Sequence, residues 1–339
     1  MRKRLWEVVE MENNDIRNEH CCGKTIELHP ALFKDNSMSK GGVFKEKGQV
    51  LREHSRSICR PPSINCRIQS FGRICKKFDE RRTRWVNEMA FGGILHLVSD
   101  MHVPRQLSYW IMTRIDPLNR ILIAPDGHEF PLSKNQVRWI LGTPSGNKSV
   151  PSSKMMNNEV REKVHKVILQ YGSSWKTKSS RGCGSVYISV GIPVTSKMMD
   201  RLEGNFGEDE EEEFKTLFLI LLLHMVMCPT QSPRLATDLI PAVSCVKNCK
   251  EYDWSDLVLK KLMASVSSFA RRFYATGYAG GCGGCAIFAV IFYHDRLNGP
   301  SLQWDVFPRI KVWTKHAISM AAKADRTRYG DYGRLGVRF

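Results

Sequence analysis

Apolar residues recur at helical spacing along most of the chain after residue 83. Between Asn157 and Tyr171 they fall at i, i+4, i+7, i+8 and i+11, counted from Val160. An apolar face of that period, with lysine and arginine opposite, predicts an amphipathic helix. The same spacing predicts further helices over residues 84–97, 194–202, 214–227, 235–244, 254–273 and 315–325, and another element over residues 106–114.

The segment from Asp126 to Gly146 contains four local signals in close succession. The first is the pair Asp126-Gly127, which favours a tight turn. A short extended piece follows this turn. Ser133 with Gln136 three residues later predicts a capping box at the start of a helix. Gly142 and then Pro144 predict its end. These residues favour folding, and none of them is typical of a nucleophile, a metal ligand or a phosphate cradle.

A few shorter stretches have a different pattern. Leu118–Ala124 is branched and apolar, which favours a strand, and Phe307–Trp313 is also predicted to be extended. Ala286–Tyr293 is continuously apolar and fits either a buried helix or a buried strand. Glycine-rich breaks are predicted over residues 172–184 and 277–284. The fold class is therefore predicted to be mainly α, an irregular helical domain with a few short strands.

The first 82 residues have a different composition from the rest. They contain 18 Lys and Arg against 11 Asp and Glu, with few sustained apolar patterns. Such a segment buries too little apolar surface to offset the entropy lost on ordering. We therefore predict a disordered basic N-terminal region over residues 1–82, a helical domain over residues 83–325 and a basic tail over residues 326–339.

The charge balance points to a polyanionic partner. The chain has 51 Lys and Arg against 34 Asp and Glu, a formal net charge of +17. Such an excess favours nucleic acid or chromatin, through neutralisation of phosphates, although an unidentified protein partner stays open. Arg2-Lys-Arg4, and Lys76-Lys77 with Arg81-Arg82, are candidate nuclear-entry clusters. The predicted location is the nucleus, or otherwise the cytoplasm.

The sequence predicts neither secretion nor a membrane partner. The N-terminus has no apolar run behind its basic residues, as a signal peptide would have. Phe214–Cys228 is the longest apolar run, but Lys215 and His224 interrupt it and it is too short to span a bilayer. Eleven scattered cysteines without a regular framework favour a reducing compartment with free thiols.

The cysteines offer the strongest candidates for chemistry. Cys282 and Cys285 form a C-x-x-C flanked by glycines, which is a redox spacing when it opens a helix. With Cys245 and Cys249 the pair would supply the four thiolates of a structural zinc site. A peptidase would instead need one of these thiols beside a base such as His224 or His294. Buried packing is the simplest interpretation, so we assign no catalytic, cofactor or metal-binding residue and expect no cofactor.

Two other clusters admit both a structural and a functional interpretation. The acidic run Glu208–Glu213 precedes an apolar helix and complements its dipole, although it would also suit a basic partner or a metal. Phe269 and Phe273, with Tyr274 and Tyr278, would stack bases if exposed beside arginines. A helical core explains these aromatic residues more simply.

Several blocks, taken together and in order, resemble a known kind of domain. The blocks are Pro104–Trp110, Pro131–Gly146, Tyr252–Leu259, Cys285–Tyr293 and Phe307–Ile310. They resemble the helical region that precedes the ubiquitin-like (SUMO) protease domain in plant mobile-element proteins. Leu141–Gly146 is also similar to a turn in the aminotransferase-like plant mobile domain.

The resemblance implies a mostly helical domain without established catalysis. The His, Asp, Gln and Asp-Cys-Gly series of the protease is not found in the sequence. The predicted function is therefore a non-catalytic interaction domain of a transposon-derived plant protein, associated with chromatin or nucleic acid. The alternatives are a degenerate cysteine peptidase relative using Cys282 or Cys285, or a zinc-stabilised DNA-binding module.

Overall fold

Helices make up most of the regular structure in this computed structural model. It describes residues 63–64, 67–97, 100–153, 156–178, 186–276, 281–299, 302–328 and 331–338. The predicted mainly α fold with a few short strands is confirmed. For residues 1–62, 65 and 66, the predicted disorder of the N-terminal region lies outside the described residues.

Ten α-helices are present in the described part of the chain. They are α1 (Ile68–Cys75), α2 (Glu80–Glu88), α3 (Arg105–Met112), α4 (Lys134–Leu141), α5 (Asn158–Tyr171), α6 (Ser196–Glu203), α7 (Glu211–Leu222), α8 (Trp254–Thr276), α9 (Ala286–His294) and α10 (Lys315–Ala324). Tighter 3-10 turns cover Gly92–His96, Glu208–Glu210, Thr237–Glu251 and Arg309–Lys311, and a wider π turn, Leu223–Met227, extends α7.

The strands are short and form three small sheets. They are β1 (Ser63–Ile64), β2 (Ile115–Asp116), β3 (Ile121–Ile123), β4 (Glu129–Pro131), β5 (Ser173–Lys178), β6 (Val186–Gly191) and β7 (Gly281–Cys282). β1 pairs in parallel with β7, whereas β2-β3-β4 and β5-β6 are antiparallel. Ile115 of β2, Leu122 of β3 and Val190 of β6 are buried in the same apolar cluster as the helices.

The core is centred on α7 and α9. Every residue of α9 is buried, which settles the open choice between helix and strand for this apolar run. The Phe214 ring of α7 lies 5.4 Å from Trp85 and 5.2 Å from both Phe78 and Phe206. Aromatic contacts of this kind join distant parts of the chain into one apolar cluster.

The ordered core begins earlier than the predicted boundary at residue 82. α1 lies within the stretch assigned to the N-terminal region, yet its Ile68 and Phe71 are fully buried. The Phe71 ring lies 5.6 Å from Phe218 of α7. The boundary is therefore wrong for this helix, which is too short to show a sustained period in the sequence.

The predicted tail also packs against the domain. Asp325 follows α10, and its carboxylate accepts the backbone N–H groups of Gly333 at 3.0 Å and Leu335 at 2.9 Å. Tyr332 and Val337 are buried. The division at residue 326 therefore does not separate a free tail, because the described part of residues 326–338 contributes to the core.

The signals following Asp126-Gly127 are confirmed. This pair forms the turn between β3 and β4, with Gly127 at a φ of +92°. Gln136 accepts the Ser133 N–H at 2.6 Å, which completes the capping box of α4. Gly142 ends α4 in the left-handed region, at a φ of +68°.

Three predicted elements differ from the structure. The single helix expected over residues 84–97 is broken after α2, where Ala90 takes a φ of +62°. The predicted break over residues 172–184 contains β5, which is ordered by pairing with β6. The stretch 307–313 contains a 3-10 turn instead of a fully extended segment.

Candidate functional site

An open groove of about 280 Å³ lies where α4 and the end of α9 meet the segment 304–309. Nine residues line it: Gln136, Trp139, Ile140, Phe292, Asp295, Arg296, Trp304, Phe307 and Arg309. The groove combines aromatic rings with guanidinium groups, and it holds no nucleophile placed beside a base.

Three of the lining aromatic side chains are largely open to solvent. Trp139 is 53% exposed, Trp304 42% and Phe307 52%. The rings of Trp139 and Phe307 lie 6.5 Å apart at 61°. Large aromatic side chains usually bury most of their surface, so three exposed rings around one groove indicate a binding surface.

The capped geometry of α4 explains how Trp139 comes to face the groove. Val137, Ile140 and Leu141 are buried and form the inner face of this helix. Residues two apart on an α-helix point in nearly opposite directions, so Trp139 lies outward from Val137. The capping box and Gly142 fix both ends of α4 and therefore the position of the ring.

The opposite side of the groove is held by an ion pair between Arg309 and Asp295. Arg309 Nε lies 3.1 Å from Asp295 Oδ2 and its Nη2 lies 3.0 Å from Oδ1. Trp313 Nε1 donates to the same Oδ1 at 2.7 Å. The guanidinium also lies 5.0 Å from the Trp304 ring. The bidentate ion pair fixes the Arg309 guanidinium in the 3-10 turn. The Trp304 ring packs against this fixed guanidinium.

Two further guanidiniums have backbone carbonyl acceptors. Arg296 donates to Phe292 O at 2.6 Å, and Arg338 donates to Gly299 O at 2.7 Å. The Arg338 guanidinium lies 4.9 Å from the Trp304 ring. No described carboxylate lies within ion-pair distance of either one, so their charge is available to an anionic ligand. Burial lowers the pKa of Arg296 to about 10, which leaves it charged at neutral pH.

Sequence reasoning missed every residue of this groove. Trp139 did carry a signal, because it lies on the polar face of a helix whose apolar face is already complete. Trp304, Phe307 and Arg338 are far from it in the sequence, and only the tertiary fold brings them together.

The structure separates Cys285 from His294, one of the candidate peptidase pairs. Cys285 precedes the first residue of α9 and His294 is its last, so about 13 Å of helix separates them. Neither ring nitrogen of His294 has a hydrogen-bond partner, and neither does Nε2 of His224. Both histidines and Cys285 are buried. The side chain of Cys282 lies outside the described residues.

The other cysteine prediction concerned zinc. Cys245 and Cys249 are both buried in the 3-10 turn Thr237–Glu251. Burial raises the pKa of the Cys245 thiol to about 12 and that of Cys249 still further. Within the described side chains, no group of three or more His, Cys, Asp or Glu residues could hold a metal ion.

The acidic run is paired with basic side chains from neighbouring elements. Arg201 of α6 contacts Glu210 at 2.6 Å and Glu213 at 2.9 Å. Lys247 contacts Glu212 at 2.9 Å. The run therefore stabilises the start of α7, as the dipole interpretation predicted, and ties it to α6.

The remaining candidate clusters are mainly structural. Phe269 and Phe273 are buried and stacked with their centroids 5.4 Å apart, which confirms the core interpretation for these two. Arg82, a member of a candidate nuclear-entry cluster, is buried and donates to Glu203 O at 3.0 Å and Gly204 O at 2.7 Å. Residues 2–4, the other cluster, lie outside the described residues.

No helix in the described part of the chain combines the length and the apolar character needed to cross a bilayer. No curated protein and no solved structure matches the sequence. Residues 64–289 match the family described as "Domain of unknown function (DUF8566)". This matched region covers more than half of the chain, which therefore belongs to that family.

Proposed function

We propose that this chain is a non-catalytic interaction domain that binds single-stranded nucleic acid in the groove. One observation carries the proposal: three exposed aromatic rings share the groove region with two guanidiniums that have no carboxylate partner among the described residues. Aromatic faces stack on any base, and cationic side chains follow the phosphates beside them.

Charge favours nucleic acid over a protein as the occupant. The chain carries a net charge of +17. The groove itself contains Arg296 and Arg309 against one carboxylate, Asp295, which Arg309 already neutralises. Arg338 adds a further positive charge beside Trp304. A polyanion gains affinity from such a site through counterion release.

Fluorescence anisotropy with labelled single-stranded DNA and RNA tests the aromatic contribution. We expect Trp139→Ala and Trp304→Ala each to weaken binding about tenfold, since stacking contributes roughly 1–3 kcal/mol per base. Met320→Ala is the control, because Met320 is 49% exposed but does not line the groove. Equal affinities for the three variants and the parent chain would exclude the groove as the binding site.

The salt dependence of the same binding tests the guanidiniums. We expect Arg296→Gln with Arg338→Gln to lower the slope of log K against log salt by about 1.4, as for two contacts to single-strand phosphates. Arg73→Gln with Arg271→Gln removes the same charge from exposed positions outside the groove. Thermal unfolding confirms that each variant is folded. An unchanged slope in the groove variant, or an equal loss in the control, would contradict the assignment.

A nuclear setting and a mobile-element origin are part of the same proposal. They are supported by the basic composition and by the resemblance of the ordered blocks to plant mobile-element proteins. Replacing Arg2-Lys-Arg4 by alanines in a fluorescent fusion is expected to reduce nuclear accumulation. A fusion that never enters the nucleus would refute this location, whereas the groove measurements do not depend on it.

A further inference from the structure

A second candidate surface is formed by β5 and β6, which make a separate antiparallel ribbon. Six residue pairs join the strands, from Ser173 opposite Gly191 to Lys178 opposite Val186. The sheet contains only these two strands among the described residues, so neither outer edge is paired with another strand. A ribbon of this kind is only marginally stable alone and needs support from packing.

The ribbon is anchored at one end and exposed at the other. Ser189 and Val190 are buried near its base. The ring of Trp175 lies beneath the guanidinium of Arg234, and the distance from the ring centroid to Arg234 Cζ is 3.8 Å. Towards the outer end, Val186 is 54% exposed and Ile188 is 55% exposed. These two apolar side chains are therefore held in solvent by a firmly attached base.

The charged residues in the sequence of the ribbon and its flanks have one sign. The sequence contains no Asp or Glu between Glu162 and Asp200, a stretch that includes both strands. Lys176 lies opposite Ile188 in the register and Lys178 lies opposite Val186. Side chains directly opposite each other share a face of the sheet. Lys176 and Ile188 therefore share a face of the ribbon, and the exposed Val186 lies on the same face two residues from Ile188.

We infer that the β5-β6 ribbon binds the major groove of double-stranded DNA. The major groove of a B-form duplex is wide enough for a two-stranded ribbon. Lys176 contacts phosphates, Lys178 adds a second positive charge to the same strand, and Val186 and Ile188 make apolar contacts with base edges. A protein strand added to a free edge would use the backbone and would not explain the absence of carboxylates along both strands.

The test measures the binding of a labelled DNA duplex of about 20 base pairs and of a DNA single strand of the same length to the full chain. We expect Lys176→Glu with Lys178→Glu to weaken duplex binding at least tenfold and single-strand binding less than threefold. Val186→Ser with Ile188→Ser is expected to weaken duplex binding severalfold. Lys250→Glu with Lys323→Glu is the matched control, because both lysines are exposed and outside the ribbon.

Each outcome decides for or against the ribbon. A parent chain that does not bind the duplex at low salt overturns the inference, as does a ribbon variant no weaker than the control. Equal loss of duplex and single-strand binding also overturns it, because the effect would then be general charge. The groove is tested separately by Trp139→Ala and a single strand, so failure of one surface does not imply failure of the other.

Discussion

Asp325 is a fully buried carboxylate on which the fold near α10 depends. Tyr293 donates its hydroxyl to Oδ2 at 2.7 Å, beside the two backbone N–H groups from residues 333 and 335. Burial raises the pKa of Asp325, whereas these donors lower it. We expect Tyr293→Phe to reduce the free energy of unfolding by about 1.5–3 kcal/mol, since one donor to a buried charge is lost.

Urea unfolding measures this loss. Tyr332→Phe is the control, because Tyr332 is also buried in the same region but contributes no hydroxyl hydrogen bond to Asp325. We expect a change within about 0.5 kcal/mol for this control. Similar losses in the two variants would show that ring packing, and not the contact with Asp325, determines the stability here.

His224 and His294 make stability depend on pH. Burial lowers their pKa values to about 4 and about 3, below an ordinary value of about 6.5. Between these values the unfolded chain binds protons that the folded chain excludes, so the free energy of unfolding falls as pH falls from 6.5 towards 4. The contribution of the two histidines to the free energy of unfolding is fully retained above about pH 6.5, the ordinary histidine pKa that applies to the unfolded chain.

Urea unfolding at several pH values checks this expectation. We expect His294→Phe to flatten the slope by up to about 1.4 kcal/mol per pH unit, the effect of one titrating group. His316→Gln, at an exposed position, is the control substitution. A slope that His294→Phe leaves unchanged would show that other groups, such as carboxylates, account for the acid sensitivity.

At the scale of elements, the backbone of the turn Gly92–His96 crosses the end of α4 very closely. A Cβ added at Gly142 would lie 2.8 Å from Gly93 Cα and 2.9 Å from Pro308 Cγ, in a residue with a φ of +68°. Backbone strain at this φ and steric overlap of the added Cβ would therefore both destabilise an alanine at residue 142. We expect Gly142→Ala to destabilise the fold by more than about 2 kcal/mol and to weaken groove binding, because Pro308 adjoins Phe307.

The control for this prediction separates strain from overlap. Gly127 has a φ of +92°, but an added Cβ there meets nothing within 4 Å. We expect Gly127→Ala to cost about 1 kcal/mol, through conformation alone. Thermal and urea unfolding compare the two variants. If Gly127→Ala proved as costly as Gly142→Ala, the close crossing would have no separate effect.

Elements with local signals could be predicted from the sequence, and elements that depend on distant contacts could not. The capping box of α4 and the Thr195 cap of α6 use residues within one turn of each other. β5 contains polar residues and is ordered by its pairing with β6. The break at Ala90 did have a local signal, the Gly92-Gly93 pair that follows it, but the helical spacing of the apolar residues concealed it.

At the scale of the whole molecule, α1 extends the domain beyond its predicted start. We expect a fragment of residues 79–339, which keeps α2 and its cap Asp79, to unfold at lower temperature than one of residues 63–339, and to bind a hydrophobic dye. The reason is that removal of α1 and Phe78 uncovers Phe214 and Phe218, which they contact. Differential scanning fluorimetry compares the two fragments. Equal melting temperatures and no dye binding would contradict a structural contribution of α1.

The groove could not be predicted as a site because its parts are distant in the sequence. Trp139 alone carries a recognisable signal, on the outer face of α4. Trp304 and Phe307 lie in a short irregular segment whose aromatic residues would be expected in a core. Their exposure follows from the way Arg309 and Asp295 fix that segment against the end of α9.

The limits of the family match divide the groove into two walls. Residues 64–289 include the α4 side, with Trp139, whereas Asp295, Arg296, Trp304 and Arg309 all follow the matched region. Membership of the family therefore predicts only the α4 wall of the groove in other members. A ligand found for this chain would extend to a relative only if that relative supplies an equivalent second wall, so the same scaffold could serve different ligands.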